Sequence, residues 1–290
     1  KGSAVNAIRI ATLDGELETV AQHIGRLRVH DVAADRRALV TQDVWRLRTM
    51  VGAPGQTAVD RSRSEMSLVM DISTDGSMLA VGEVGELFFE AYLVPVAGGR
   101  ALHLGQGIPL AISPRGQRVA VGVIVDGQRR LIVYSTASAE RPTVATPGFT
   151  KSVRWIDEAT LIAAGSGPST PPRIWRLALS GAPVPITEEG TFGQLEVDPA
   201  RRRCAFVDPA GVLCMVELAS GTLTKLPGRF EQRVVCGWIE RTLDRGAGDA
   251  IVVPTTTTPL VLTLVDPVTG ATSPYLEIRP PAVGLKAVDS

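Results

Sequence analysis

Apolar and polar residues alternate along this chain in short runs that end on Gly, Asp, Ser or Pro. The stretch "MDISTDGSMLAVGE" at 70–83 shows the unit: an alternating run, a tight Asp-Gly turn and a second run. Such a stretch predicts a β-hairpin. Close copies stand at 30–43, "HDVAADRRALVTQD", and at 110–123, "LAISPRGQRVAVGV". Helical 3.6-residue periodicity is absent over any useful length, which excludes solenoids built from helix pairs.

An apolar residue in the middle of the first run anchors each copy. The anchors are Val32, Ile72, Ile112, Trp155, Val197 and Trp238, separated by 40, 40, 43, 42 and 41 residues. Each anchor hairpin is followed by a second, whose first strand reads "VWRLRTM" at 44, "AYLVPVAGG" at 91 or "IWRLALSG" at 174. Four antiparallel strands per 40-odd residues make the blade of a β-propeller. A single blade cannot cover both of its faces, so blades pack on one another around an axis, and closure leaves only short edges.

The expected fold class is therefore all-β, a β-propeller of four-stranded antiparallel blades. Six complete repeats run from about 29 to 277, and 5–22 supplies one more outer hairpin. Residues 1–28 and 278–290 are expected to close the ring as a composite seventh blade, making 1–290 a single domain. A six-bladed ring carrying an extra N-terminal hairpin is the alternative.

Composition changes this picture little. With 44% hydrophobic residues among 290 there is ample material for a core. Thirty basic residues balance thirty acidic ones, so no bulk field favours nucleic acid or an anionic membrane surface. No run approaches the roughly 18 apolar residues that cross a bilayer, so direct membrane insertion by this chain is not expected. The opening Lys1-Gly2-Ser3 is read as that of an excised domain or a processed product. Cys204, Cys214 and Cys236 lack the spacing of a zinc site or a disulfide framework. Cys204 and Cys214 flank a "DPAG" turn, and free buried thiols are the expectation there over a cross-hairpin disulfide.

The turn motifs "DISTDG", "AISPRG" and "EVDPAR" resemble the TolB-like, WD-repeat-like propellers, whose blades carry a Ser-Pro-Asp-Gly turn. The stretches "PVAGGRALHLGQGIPLAISPRGQRVAV", "PPRIWRLALSGAPVPITEEG" and "VELASG" are similar to the C-terminal propellers of bacterial receptor-type serine/threonine protein kinases. That resemblance implies a sensor or interaction module, extracytoplasmic or periplasmic if carried on a membrane-anchored receptor and otherwise cytoplasmic. No Gly-rich phosphate loop, His-Arg-Asp loop or Asp-Phe-Gly occurs in the sequence, so any kinase activity would lie in another domain. Two departures from the turn motif stand out: Arg115 replaces the turn Asp, and "AADRR" at 33–37 lacks the turn Gly. They argue against a ligand held by the turn of every blade.

Candidate chemistry falls on the innermost strands. The residues just before the anchors are Asp31, Asp71, Ala111, Arg154, Glu196 and Gly237. Period-2 alternation sets them on the opposite face from the anchors, bordering the central channel. His30, Asp31, Asp71, Arg154 and Glu196 are thus the candidate channel or ligand-face residues, with Arg154–Glu196 pairing between blades as the plainer reading. Turn residues Asp35 and Asp75 are expected to bond local backbone N–H groups rather than calcium. Trp45, Trp155, Trp175 and Trp238 hold repeat-equivalent places and are read as core. The loops "GSGPSTPP" at 165–172 and "RTLDRGAGDA" at 241–250 are both expected to join second to third strands. No Gly-x-Ser-x-Gly elbow or Ser/His/Asp set occurs, and the three His share no spacing. No catalytic residue, cofactor or metal is therefore expected.

The expected function is non-catalytic binding of a peptide, protein or cell-envelope ligand, with no nucleic-acid partner. A stand-alone TolB-like scaffold is the alternative. A propeller hydrolase or lactonase ranks behind both.

Overall fold

The computed structural model describes residues 5–279, apart from 25, 36, 44–46, 54, 85–88, 139–141, 145, 147, 168–170, 242–247 and 256–258. It begins with three two-stranded hairpins. They are β1 (Val5–Ala11) with β2 (Leu17–Ile24), β3 (Arg26–Val32) with β4 (Ala38–Asp43), and β5 (Met50–Val51) with β6 (Val59–Asp60).

Five four-stranded antiparallel blades follow. Blade 1 holds β7 (Ser67–Ile72), β8 (Met78–Val84), β9 (Phe89–Pro95) and β10 (Leu102–Gln106). Blade 2 holds β11 (Ile108–Ile112), β12 (Arg118–Val125), β13 (Gln128–Ser135) and β14 (Thr143–Val144). Blade 3 holds β15 (Phe149–Trp155), β16 (Thr160–Ser166), β17 (Arg173–Ala178) and β18 (Val184–Pro185). Blade 4 holds β19 (Glu196–Val197), β20 (Arg203–Val207), β21 (Leu213–Glu217) and β22 (Leu223–Lys225). Blade 5 holds β23 (Gly237–Arg241), β24 (Gly248–Pro254), β25 (Leu260–Val265) and β26 (Thr272–Ile278). Strand order in each blade is sequence order, so every link is an up-and-down hairpin. Between β12 and β13 the turn residues Asp126 and Gly127 have φ of 51° and 74°, the left-handed pair that a two-residue hairpin turn requires.

Alternation along each strand sends successive side chains to opposite neighbours. In β16, Leu161 and Ala163 pack on blade 2, whereas Ile162 and Ala164 pack on blade 4. In β20, Cys204 and Phe206 face blade 3, and Ala205 and Val207 face blade 5. The core is thus a series of sandwiched layers, one per blade junction. Trp155 and Trp175 are buried in the layer between blades 2 and 3, and Trp238 is half-buried against blade 4. Trp45 lies outside the described residues.

The blade count departs from the expected seven, and from the alternative six. Among the described residues five blades have four strands, and the first expected repeat is split into separate hairpins, β3–β4 and β5–β6. In the full blades the second and third strands pair extensively, over eight residues between β12 and β13. The outer strand β5 spans only Met50–Val51, and Gly52 follows directly. Leu47 just before it bridges in parallel to Met66, at the edge of blade 1. Periodicity records hairpins; it does not record whether two of them merge.

Anchor burial follows the same boundary. Ile112 is 7% exposed and Trp155 1%, because each is covered by the blade before it. Ile72 is 50% exposed and Val32 60%, and among the described residues no four-stranded blade precedes either. A second correction concerns 241–250: this loop joins β23 to β24, the first and second strands of blade 5. The 165–172 loop joins β16 to β17, as expected. The segment 280–290, expected to help close the ring, lies outside the described residues.

Candidate functional site

The inner strands of neighbouring blades are tied by hydrogen bonds at and beside the anchor positions. Asp71 Oδ2 accepts from the Ile112 amide at 2.7 Å, joining blades 1 and 2. The Trp155 indole N–H donates to the Ala111 carbonyl at 3.1 Å, joining blades 2 and 3. The Trp238 indole does the same to the Glu196 carbonyl at 3.1 Å, joining blades 4 and 5. Anchor tryptophans therefore fill volume with the ring and satisfy a neighbouring backbone group with the N–H.

Three of the five candidate residues come together here. Arg154 reaches across from blade 3 to Glu196 of blade 4 in a two-pronged ion pair, with Nε to Oε2 at 3.0 Å and the second contact to Oε1. Both side chains are mostly buried, 14% and 13% exposed. Arg154 also donates to the Leu110 carbonyl at 3.3 Å, and the Gln194 amide donates to Glu196 Oε1 at 3.1 Å. Burial pulls the Arg154 guanidinium down, but the Glu196 and Asp71 carboxylates outweigh it, so its pKa lies above the ordinary value. Burial pushes the Asp71 carboxyl up, against the pull of Arg154 and of the Ile112 amide. The inter-blade pairing anticipated for Arg154 and Glu196 is what the structure contains.

His30 and Asp31 lie elsewhere, exposed on β3. His30 Nε2 bonds Thr41 Oγ1 at 2.6 Å, and Asp31 Oδ1 accepts from the Val32 amide. A bulge at His30 offsets the β3–β4 register between Val29 and Asp31. The same offset recurs in β7, between Val69 and Asp71, and in β11, between Pro109 and Ala111. Each places an extra residue two positions before the anchor, where a bulge re-aims the strand.

The turns joining first to second strands in blades 1 to 4 border neighbouring grooves on one side of the molecule. Ser73 and Ser113, just after their anchors, are buried and accept from the Met78 and Arg118 amides. Asp198 takes that place in blade 4, 1% exposed, and accepts from the Arg202 and Arg203 amides and from Arg203 Nε. Arg203 also pairs with Asp249 of blade 5 and lies over the Trp238 ring. Turn carboxylates close on local backbone: Asp75 on Ser77, Asp35 on Arg37. Hydrogen bonds from Ser73, and then from Ser77, hold the Asp75 carboxyl down to about 2.

Sequence reasoning missed Arg201. In "DISTDG", "AISPRG" and "EVDPAR" the sixth position is Gly, Gly and Arg. Gly76 and Gly116 both have φ of 70°, and Arg201 has 57°. A left-handed L-residue costs about 1–2 kcal/mol, and such outliers point toward function. The signal was an arginine where the turn needs glycine. From there the guanidinium donates to the Trp155 carbonyl at 2.6 Å and to Thr74 Oγ1 of blade 1 at 3.3 Å. It thus bridges blade 4 to the non-adjacent blade 1. Burial holds its pKa below the ordinary value, in spite of Asp71, Glu158 and Asp198 nearby.

Two grooves open beside Arg201. One of about 480 Å³ is lined by Arg115, Ile156, Asp157, Glu158, Ala159 and Arg201, with Pro114 at its edge. The other, about 420 Å³, is lined by Thr74, Asp75, Ser77, Met78 and Gly116 and shares Pro114 and Arg115 with the first. Glu158 Oε1 accepts from the Arg115 amide at 2.7 Å, while its Oε2 is buried without a hydrogen-bond partner. A third groove, about 590 Å³, lies at the opposite end between blades 3 and 4, lined by Thr187, Phe192, Phe206, Asp208, Cys214 and Lys225 among others. Cys204 and Cys214 are free and buried, and burial pushes their thiols up to about 12 and about 11. Among the described residues no three His, Cys, Asp or Glu gather as a metal-ligand set.

No protein-family model matches the chain, and no curated protein matches it. Solved structures do. TolB from Acinetobacter baumannii is 14% identical with a TM-score of 0.61, over 78% of this chain and 58% of TolB. The chain thus spans less than two thirds of that protein. A putative TolB from Agrobacterium tumefaciens is 16% identical, TM-score 0.53, over 78% of this chain and 89% of its own. A chain of a nidogen/laminin complex is 12% identical, TM-score 0.56, over 77% and 84%. At such identities the likeness is one of fold, and the fold is a β-propeller.

Proposed function

We propose that this propeller is a non-catalytic recognition module that binds a peptide or protein. We place it as the sensory or interaction part of a larger bacterial signalling protein, of the serine/threonine kinase kind that its blade motifs resemble. One observation carries the reading. Two neighbouring grooves share Pro114 and Arg115, so that turns from blades 1 to 4 border adjacent charged and partly apolar surfaces. An extended chain fits such a surface better than a small molecule, which binds where most of its area is enclosed. Rigidity supports the same reading, because the inner strands are cross-tied by Trp155, Trp238 and the Arg154–Glu196 pair. A rigid surface loses little entropy on binding.

The test is selection of a random peptide library on the immobilised chain, with enriched peptides resynthesised and titrated by calorimetry. Recovery of a shared motif with micromolar affinity, lost on substituting groove residues, supports the reading. Failure to enrich any motif, or turnover of an esterase, lactonase or glycoside substrate, overturns it.

A further inference from the structure

We propose that the free edge of β4 joins that of a second copy of this chain, so that two β3–β4 hairpins make one four-stranded antiparallel sheet. The inference stands apart from the grooves and from what they bind. Among the described residues β4 pairs with β3 alone, and every described residue from Arg28 to Thr41 is exposed. An isolated two-stranded hairpin is marginal in water, and an unpaired strand edge is a template for another strand unless something blunts it. The outer strand of each of the five blades is blunted. β14 and β18 have two residues each, and β18 ends on Pro185. β22 ends on Lys225, β26 holds Pro274 and Glu277, and β10 is broken by a register shift between His103 and Gly105. The hairpin strands β1, β2 and β3 carry Arg9, Glu18 and Arg28. β4, six residues long, runs Ala-Leu-Val-Thr-Gln from 38 to 42 with no charge and no proline.

The pattern of this edge selects a second copy over a foreign strand. A two-fold axis normal to the sheet at Val40 makes the pairing antiparallel and keeps like faces together. Val40 then meets Val40 of the other copy. Since Val29 lies opposite Val40 within each hairpin, a row of four valines crosses the joined sheet. Cross-strand pairs of β-branched residues are what stabilises such a sheet, and Val29 and Val40 are both exposed in the single chain. Leu39, also exposed, comes opposite Thr41 of the other copy. The sequence carries Arg37 at one end of this edge and Asp43 at the other. The antiparallel register therefore sets a basic position opposite an acidic one at both ends, whereas parallel in-register pairing would set like beside like. Arg37 already touches Asp35, but that contact is an exposed surface pair and holds the side chain weakly. A six-residue edge makes a small interface, so the dimer is a weak one, with a dissociation constant on the order of 10 µM. Two-fold closure uses up both β4 edges and stops at two copies.

Analytical ultracentrifugation of the whole chain, in a concentration series through the micromolar range, tests the pairing. The expected result is a reversible monomer–dimer equilibrium with no larger species. Val40→Lys and Val40→Glu each set like charges side by side on the axis and are expected to weaken association at least about tenfold. An equimolar mixture of the two variants is expected to recover the parent's affinity to within about threefold, which a misfolded variant cannot do. Val32 lies on the same face as Val40 but on β3, the outer strand of the joined sheet, so Val32→Lys is expected to change the affinity by less than about twofold. A monomer at every concentration, open-ended aggregates, or no recovery in the mixture overturns the proposal and leaves the groove reading standing. Loss of association in Val32→Lys but not in Val40→Lys also overturns it, because apolar faces would then stack in place of paired edges.

Discussion

Ile72 and Ile112 occupy the same repeat position, forty residues apart, and truncating each to Ala should give very different costs. Removing three carbons from Ile112 forfeits about 0.8 kcal/mol per buried group, or about 2.4 kcal/mol. The cavity left among Ala80, Leu93, Val119 and Tyr134 brings the total to about 3 kcal/mol. At Ile72, half of that surface already meets water and no closed cavity forms, so about 1 kcal/mol is expected. Urea denaturation followed by tryptophan fluorescence reads the difference, with unchanged m-values as the check that only stability has moved. The three described tryptophans, Trp155, Trp175 and Trp238, all sit at blade junctions downstream and report the same transition. A gap of about 2 kcal/mol supports a chain whose first complete blade begins at Ser67. Equal costs would mean that a further blade covers Ile72, and the reasoning on blade count would fail.

Further outcomes follow from other junctions. Glu196→Ala strands the mostly buried Arg154 guanidinium, with Asp71 still near it, and should cost about 2–3 kcal/mol, while a double replacement of both by Met returns to within about 1 kcal/mol of the parent. A chemical-denaturation double-mutant cycle measures the coupling, and a cost near zero for the single variant argues against the pair. Gly193→Ala would bring a Cβ to 2.3 Å from the Val207 carbonyl oxygen and is expected to cost at least about 2 kcal/mol, read as a lowered melting temperature. In native protein at pH 8, Cys204 and Cys214 should resist alkylation, because burial raises their thiols and shields them, while exposed Cys236 reacts first; mass spectrometry of digests distinguishes the sites. The Asp75 carboxyl, held near 2 against an ordinary 3.8, lends the folded state stability that is complete above the unfolded pKa. That stability is lost as pH falls from about 4 toward 2. Carboxyl carbon-13 titration should show the low midpoint, and Ser73→Ala should move it upward.

Hairpins were legible because turn residues such as Asp75-Gly76 have a local cause, and local causes are written in adjacent letters. Alternation around the anchors set Asp71, Arg154 and Glu196 on one face of their strands, and the pairing of Arg154 with Glu196 followed from it, whereas the bond of Asp71 to the Ile112 amide did not. The number of blades was not legible, because the merging of two hairpins depends on a paired second and third strand, and β5 is cut short after Val51. The loop at 241–250 was misplaced because the repeat after Trp238 lacks the Ser-x-x-Gly turn that marks the end of the first strand in blades 1 and 2. Arg201 escaped notice since a charged residue in a surface turn looks ordinary until its backbone angle is known. Written under Gly76 and Gly116, it was visible as an exception.

The Arg201–Thr74 hydrogen bond spans 127 residues, whereas most inter-blade ties described here span forty-odd. Hairpins and neighbouring blades form by short loop closures, and each can assemble without waiting for distant sequence. This bond can form only after blades 1 through 4 have all taken their places. It is therefore a clock hand for assembly: a probe at Thr74, followed in a refolding experiment, marks the moment at which a row of wedges becomes an arc with a fixed radius.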